Sequence, residues 1–190
     1  MRLFLSLIFC ALTLLTSAIT LAAPMEREAM AALVTPPYKL GEAVNDKGVY
    51  AIINLDGKEA GYIFETQPLA PLPGFSGAPI NILVTLDLEA NILDAQLIDH
   101  NEPIFVSGLG QAPFHKFFEQ YKGQSIANTM VVGVPYGDKG ASSSLVYLHG
   151  VTKATASVRI AHESLMGAAL AVAREKMQGV SAGPPAYPDP

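Results

Sequence analysis

One stripe of apolar residues near the C-terminus constrains the fold more than any other feature. Val158, Ala161, Leu165, Ala168, Ala169 and Val172 recur at three- and four-residue spacing, which is one face of a long helix. Such a face has to lie on another apolar layer. The chain upstream offers one. Val49 to Asn54 and Tyr62 to Thr66 are β-branched and aromatic runs on either side of Asp56-Gly57-Lys58, a hairpin signal. Ile80 to Leu86 and Ile92 to Ile98 repeat the pattern around Glu89-Ala90-Asn91, with Ile80, Ile82, Val84 and Leu86 at strand period. The expected class is α+β: an antiparallel sheet of hairpins closed by a C-terminal helix that Gly179 ends.

The remaining elements are shorter. Glu26 to Val34 fits a brief helix stopped by Pro36-Pro37. A Pro/Gly-rich loop runs from Pro68 through Gly77-Ala78-Pro79, and a polar, glycine-bearing one from His100 to Gly110. Phe114, Phe117, Phe118 and Tyr121 fall at helical spacing and read as core, and Val131 to Val134 reads as a strand. Pro135 to Ala141 and the three serines after it read as a flexible loop. The domain plan is then a leader over 1–23, a lead-in over 24–48, one domain over 49–179 and a Pro-rich linker over 180–190.

Met1-Arg2, the apolar run Leu3 to Leu21 and the small pair Ala22-Ala23 have the layout of a secretory signal peptide. The run is also long enough to serve as an uncleaved membrane anchor. About 165 residues follow, enough for one domain with a proper core. Formal charge is −5, and without the leader's Arg2 it is −5 − 1 = −6. A mildly acidic chain with no basic stripe is a poor nucleic-acid binder. The one cysteine, Cys10, lies inside the leader, so the exported part has no disulfide, thiolate metal site or iron–sulfur cluster of its own. The four histidines have no metal-site spacing either.

Chemistry concentrates in His149-Gly150-Val151-Thr152-Lys153-Ala154-Thr155-Ala156-Ser157-Val158-Arg159. A turn rich in hydroxyl and small residues opens directly onto the long helix. At such a start the N–H groups lack partners and the dipole is positive, which favours a phosphate. Arg159 is four residues after Thr155 and shares its helix face, where a guanidinium can fork onto phosphate oxygens. From the residues alone, a threonine-rich helix start is also what an ordinary N-cap looks like.

This segment resembles the flavinylation motif of the FMN-binding domain family, Asp-x-x-Ser/Thr-Gly-Ala-Thr. In that family a flavin transferase esterifies the last threonine to the phosphate of FMN. The resemblance puts the motif hydroxyl at Thr152, its alanine at Ala154 and the attachment at Thr155, with Thr152 and Ser157 as the rival hydroxyls. His149 stands where the family has Asp, and Lys153 where it has Gly. His100-Asn101-Glu102-Pro103 with Gly108-Leu109-Gly110 resembles the family's His-x-Glu and Gly-Leu-Gly elements, which implies that Glu102, Gly108, Leu109 and Gly110 lie at the flavin. From Tyr50 through Met177 the chain is similar to the periplasmic domain that opens NosR/NirI-type regulatory proteins, which support nitrous oxide reduction. There it precedes transmembrane helices and a polyferredoxin, and the sequence reads as a fragment without them.

The resemblance implies covalent FMN, a flavin transferase for maturation, and a membrane electron-transfer partner or the nitrous oxide reductase system as the recipient. It implies a periplasmic domain, membrane-anchored in a full-length form, and an electron carrier rather than a stand-alone enzyme. The second reading is a redox-sensing domain whose flavin state changes its grip on a partner protein. A free-standing flavin reductase fits poorly, because no nicotinamide fingerprint is present.

Overall fold

The structure, a computed structural model, describes residues 23–133 and 144–177. The leader up to 22, most of the 135–144 loop, Gly179 and the 180–190 linker lie outside the described residues. Five strands, β1 Lys39–Ala43, β2 Tyr50–Ile53, β3 Glu59–Glu65, β4 Asn81–Asp87 and β5 Ile92–Asp99, form one antiparallel sheet in chain order. The two anticipated hairpins make up four of its five strands, β2 to β5. Ala51 lies opposite Tyr62 in the first and Val84 opposite Ala95 in the second, while Phe64 pairs with Val84 between them. The helix α3, Thr155–Lys176, closes the sheet as expected.

Strand period explains the two sides of the sheet. Tyr62, Phe64, Ile82, Val84 and Leu86 point to one face and share a core with Val158, Ala161, Leu165, Ala168, Ala169 and Val172 of α3. The alternate residues Ile52, Ile63 and Leu83 point to the other face and meet Met30 of the short helix α1, Arg27–Leu33. Both faces are therefore covered. Glu65, nearly buried, secures the N-terminal segment: its Oε2 accepts from the Met25 N–H at 2.5 Å and its Oε1 from Asn81 Nδ2 at 2.6 Å.

Three parts differ from expectation. Part of the anticipated lead-in, Lys39–Ala43, is the edge strand β1, paired with β2 across a bulge between Leu40 and Ala43. The strand anticipated at Val131 to Val134 is β6, Thr129–Val132, ended by Gly133 at φ +140°. It pairs in parallel with an unanticipated β7, Leu145–Leu148. The aromatic helix anticipated over Phe114 to Tyr121 is α2, Ala112–Glu119, with Tyr121 in the turn after it; Phe114, Phe117, Phe118 and Tyr121 are all buried, so they are core. No helix among the described residues is long and apolar enough to cross a membrane.

Candidate functional site

The segment 149–157 reaches α3 through a tight turn, in which Val151 C=O accepts from the Ala154 N–H at 3.0 Å. Ala154, the N-cap residue, has no side-chain oxygen, and among the described residues it makes no side-chain cap hydrogen bond. The N-cap side chain therefore offers no acceptor to the first-turn N–H groups of this 22-residue helix. Lys153, just before, has φ +70°, a left-handed conformation that a lysine adopts only at a cost. The flavinylation motif that this segment resembles has glycine here, a residue that adopts the conformation freely. Ala154 is buried, while Thr152, Lys153, Thr155 and Arg159 are exposed. Arg159 lies one turn beyond Thr155, with a guanidinium nitrogen 4.0 Å from where a Cβ on Gly133 would stand.

A cleft of about 450 Å³ opens beside this helix start. Lys153, Ala154, Ala156 and Ser157 form one wall, and Phe75, Pro103, Ile104, Ser107 and Gly108 the other. The structure so brings together Gly108, Lys153 and Ala154 from the expected site. Thr155 sits between two lining residues without itself lining the cleft. Thr152, Leu109, Gly110 and Arg159 also lie outside its lining. Gly108 and Leu109 belong to a π-helical turn, Phe105–Leu109, which Gly110 ends at φ +77°, so Gly110 serves the backbone. Gly108 is different. A Cβ there would meet only Ile104 Cδ1, at 3.5 Å, so the fold itself does not require glycine.

Glu102 lies beneath the cleft, with no exposed surface. Ser157 Oγ–H donates to its Oε2, and the Ser76 N–H donates to its Oε1 at 3.3 Å. The Glu102 N–H donates to His100 Nδ1 at 3.0 Å, which leaves Nε2 as the protonated nitrogen, donating to Gln111 Oε1 at 2.5 Å. Edge-on contacts with Phe105 and Phe114, themselves stacked at 4.2 Å, hold the imidazole. Ser157, a rival hydroxyl for attachment, is therefore buried and engaged, whereas Thr152 and Thr155 are exposed.

The preceding residues, His149, Gly150 and Val151, line a second cleft of about 550 Å³ together with Pro113, Lys116, Phe117, Glu119 and Gln120. Gln120 holds it together: its Oε1 accepts from the His149 N–H at 2.7 Å and its Nε2 donates to the His149 carbonyl at 3.0 Å. Behind it, Tyr121, the residue after Gln120, meets His162 Nδ1 of α3 through its hydroxyl at 2.8 Å. Burial lowers the His162 pKa to about 4, against the partly opposing hydrogen bond to the Met130 backbone, and burial raises that of Tyr121.

No protein-family model matches the chain. Regulatory protein NosR of Stutzerimonas stutzeri is 34% identical to it over 155 residues, 82% of this chain and 20% of that protein. Protein NirI of Paracoccus denitrificans is 23% identical over 131 residues, 69% of this chain and 17% of that protein. The chain is related to the NosR/NirI-type regulatory proteins. It spans about a fifth of the length of the NosR and NirI relatives it matches. The crystal structure of Shewanella oneidensis NqrC superposes with a TM-score of 0.45, at 18% identity over 73% of this chain and 66% of that one.

Sequence reading missed Phe75, Pro103, Ile104, Ser107 and Ala156 as cleft walls, and the tie between Ser157 and Glu102. The exposed aromatic Phe75, in a Pro/Gly-rich loop and 75% accessible, was the available signal for one of them.

Proposed function

We propose that this chain is an FMN-carrying electron-transfer domain, with FMN joined through its phosphate to Thr155 and its ring seated in the cleft beside Gly108. The observation that carries the reading is the exposed Thr155 at the first residue of a helix whose N-cap, Ala154, offers no side-chain oxygen, one position from the cleft wall on either side. The cleft's size suits a cofactor ring, since ligand pockets run roughly 300–1,000 Å³. Its walls are largely apolar or small, as a flat ring needs. Orphan N–H groups and the helix dipole favour the phosphate by about 0.3–1 kcal/mol at an exposed site. Lys153 and Arg159 stand within a turn of Thr155 on the chain and supply cations for the same oxygens. Bound FMN would supply reversible electron transfer; the chain's part is to bind, orient and tune it.

The relation to NosR and NirI extends the reading. The domain works outside the cytoplasm after export by its N-terminal signal segment. It receives its flavin from a flavin transferase and serves the nitrous oxide reductase system through a membrane electron-transfer partner. A covalent link makes sense there, because an exported carrier loses a weakly held cofactor by dilution. The test is mass spectrometry of the exported chain co-expressed with a flavin transferase. An FMN adduct is expected on the peptide containing Thr155, absent in Thr155→Ala. An adduct that survives this substitution would overturn the attachment site.

A further inference from the structure

Glu102 is the buried acidic group that the reading above leaves without a task. Three separated segments converge on its carboxylate. Ser157 reaches it from the first turn of α3, and Ser76 from the 73–79 loop. Gly74 passes so close that a Cβ there would stand 2.2 Å from Oε1 and 2.9 Å from the Ala78 carbonyl oxygen, so any side chain would displace the carboxyl group or the backbone beside it. Both oxygens accept hydrogen bonds, and both donors are neutral. No lysine, arginine or histidine forms an ion pair with it among the described residues; Lys176–Glu175 is the ion pair found there. A buried carboxylate held by neutral groups alone is costly to keep. Ser157 and its neighbour Ala156 line the cleft, so the Glu102 carboxyl group lies one hydrogen bond behind the wall.

We propose that Glu102 sets the reduction potential of the group held in that cleft, as a fixed negative charge whose strength Ser157 moderates by donating to it. The proposal rests on the reading that the cleft holds a flavin. Two electrons and one proton leave a reduced ring one negative charge richer than the oxidised one; two electrons and two protons leave it unchanged. The Glu102 charge opposes the first outcome and lowers the potential. Ser157 offsets part of that charge, as a hydrogen-bond donor does for an anion.

The two partners should then act with opposite sign. Glu102→Gln removes the charge and keeps a side chain of the same shape that can still pair with Ser157, so the potential rises. Ser157→Ala keeps the charge and removes its donor, so the potential falls. A merely structural role would loosen the cleft in both variants and move both the same way. The experiment is spectroelectrochemical titration of the full exported chain, flavin attached, with the electrode supplying electrons. Mass spectrometry confirms the adduct and circular dichroism the fold in each variant. Opposite shifts support the proposal. Unchanged potentials, or shifts of one sign in two folded, flavin-bearing variants, overturn it while the attachment stands. If Glu102→Gln does not fold, Ser157→Ala decides alone: a lowered potential supports the assignment, and an unchanged or raised one overturns it. A wild-type chain that acquires no flavin overturns both this proposal and the reading beneath it.

Discussion

The two clefts at the start of α3 draw on consecutive stretches of the same segment, 149–151 and 153–157, yet their walls are held by different means. The Gly108 cleft is bounded by loops that a buried carboxylate, Glu102, ties to the helix. The Gln120 cleft is bounded by a regular helix, α2, whose terminal amide pairs with the backbone of His149 as another peptide group would. The second is the larger, about 550 against about 450 Å³. Size therefore does not choose between them. The first has small walls, a helix start whose N-cap offers no side-chain oxygen, and a buried carboxylate with neutral hydrogen-bond partners behind it, all of which bear on the proposed flavin. The second has amide–peptide pairing and the solvent face of α2, which serve packing. The costs the fold accepts around the first cleft are what favour it as the proposed ligand site.

Matched glycine substitutions test this contrast most severely. Gly108 and Gly150 line one cleft each, neither has a positive φ, and a Cβ on either meets nothing nearer than 3.5 Å. Valine at either position should thus leave the fold intact. Gly108→Val is expected to expel the ring, read as a changed visible spectrum and loss of induced visible circular dichroism, with the Thr155 adduct mass retained. Gly150→Val should leave the spectrum as in wild type. The reverse pattern would move the ring to the Gln120 cleft.

The next effect is on stability. His162 ties α3 to Tyr121 behind the Gln120 cleft, and its folded pKa of about 4 lies below the ordinary 6.5. The unfolded chain binds this proton at higher pH than the folded one. The contribution is therefore complete above pH 6.5 and is lost as pH falls through 4, amounting to roughly 3 kcal/mol across that window. Denaturant titrations at pH 7 and pH 4.5 should show the loss, and His162→Phe should remove that part of it. Equal pH dependence in the variant would assign the loss to carboxylates. A smaller effect is expected from Gln120→Ala. Two hydrogen bonds to an exposed peptide group are lost, worth about 1 kcal/mol together given solvent competition. The flavin spectrum should not change; if it does, the Gln120 cleft supports the ring after all.

Much of the fold was legible in the sequence, because period-two and helical patterns are local. Ile82, Val84 and Leu86, and the Val158 to Val172 stripe, each announce their buried face. Strand β1 was not legible: Lys39-Leu40-Gly41-Glu42-Ala43 has one large apolar residue and owes its place to pairing with β2. Neither was β7, a four-residue strand whose parallel partner lies 16 positions away and whose pairing no hairpin signal marks. At the site, Gly108, Lys153 and Ala154 were reachable through motif spacing. The tie from Ser157 to Glu102 spans 55 positions and follows from tertiary packing alone.

Lys153 offers the finest distinction between the clefts, since it lines the Gly108 cleft and strains the backbone there. At φ +70° a lysine gives up about 1 kcal/mol relative to glycine, which adopts this conformation freely. Lys153→Gly should therefore stabilise the folded chain by up to about 1 kcal/mol, less whatever the freer unfolded chain takes back. If the strain is kept for the sake of a cation at the flavin phosphate, the same variant should acquire its Thr155 adduct more slowly. Lys153→Ala separates the two effects, because it keeps the strained conformation and loses the charge. Thermal melts and timed mass spectrometry would give both quantities on the same samples. A stabilised Lys153→Gly with slowed attachment, and an unstabilised Lys153→Ala with equally slowed attachment, would tie the strain to the cofactor. Normal attachment in both would make Lys153 a local backbone cost with no part in the site, and would leave Arg159 as the cation to test.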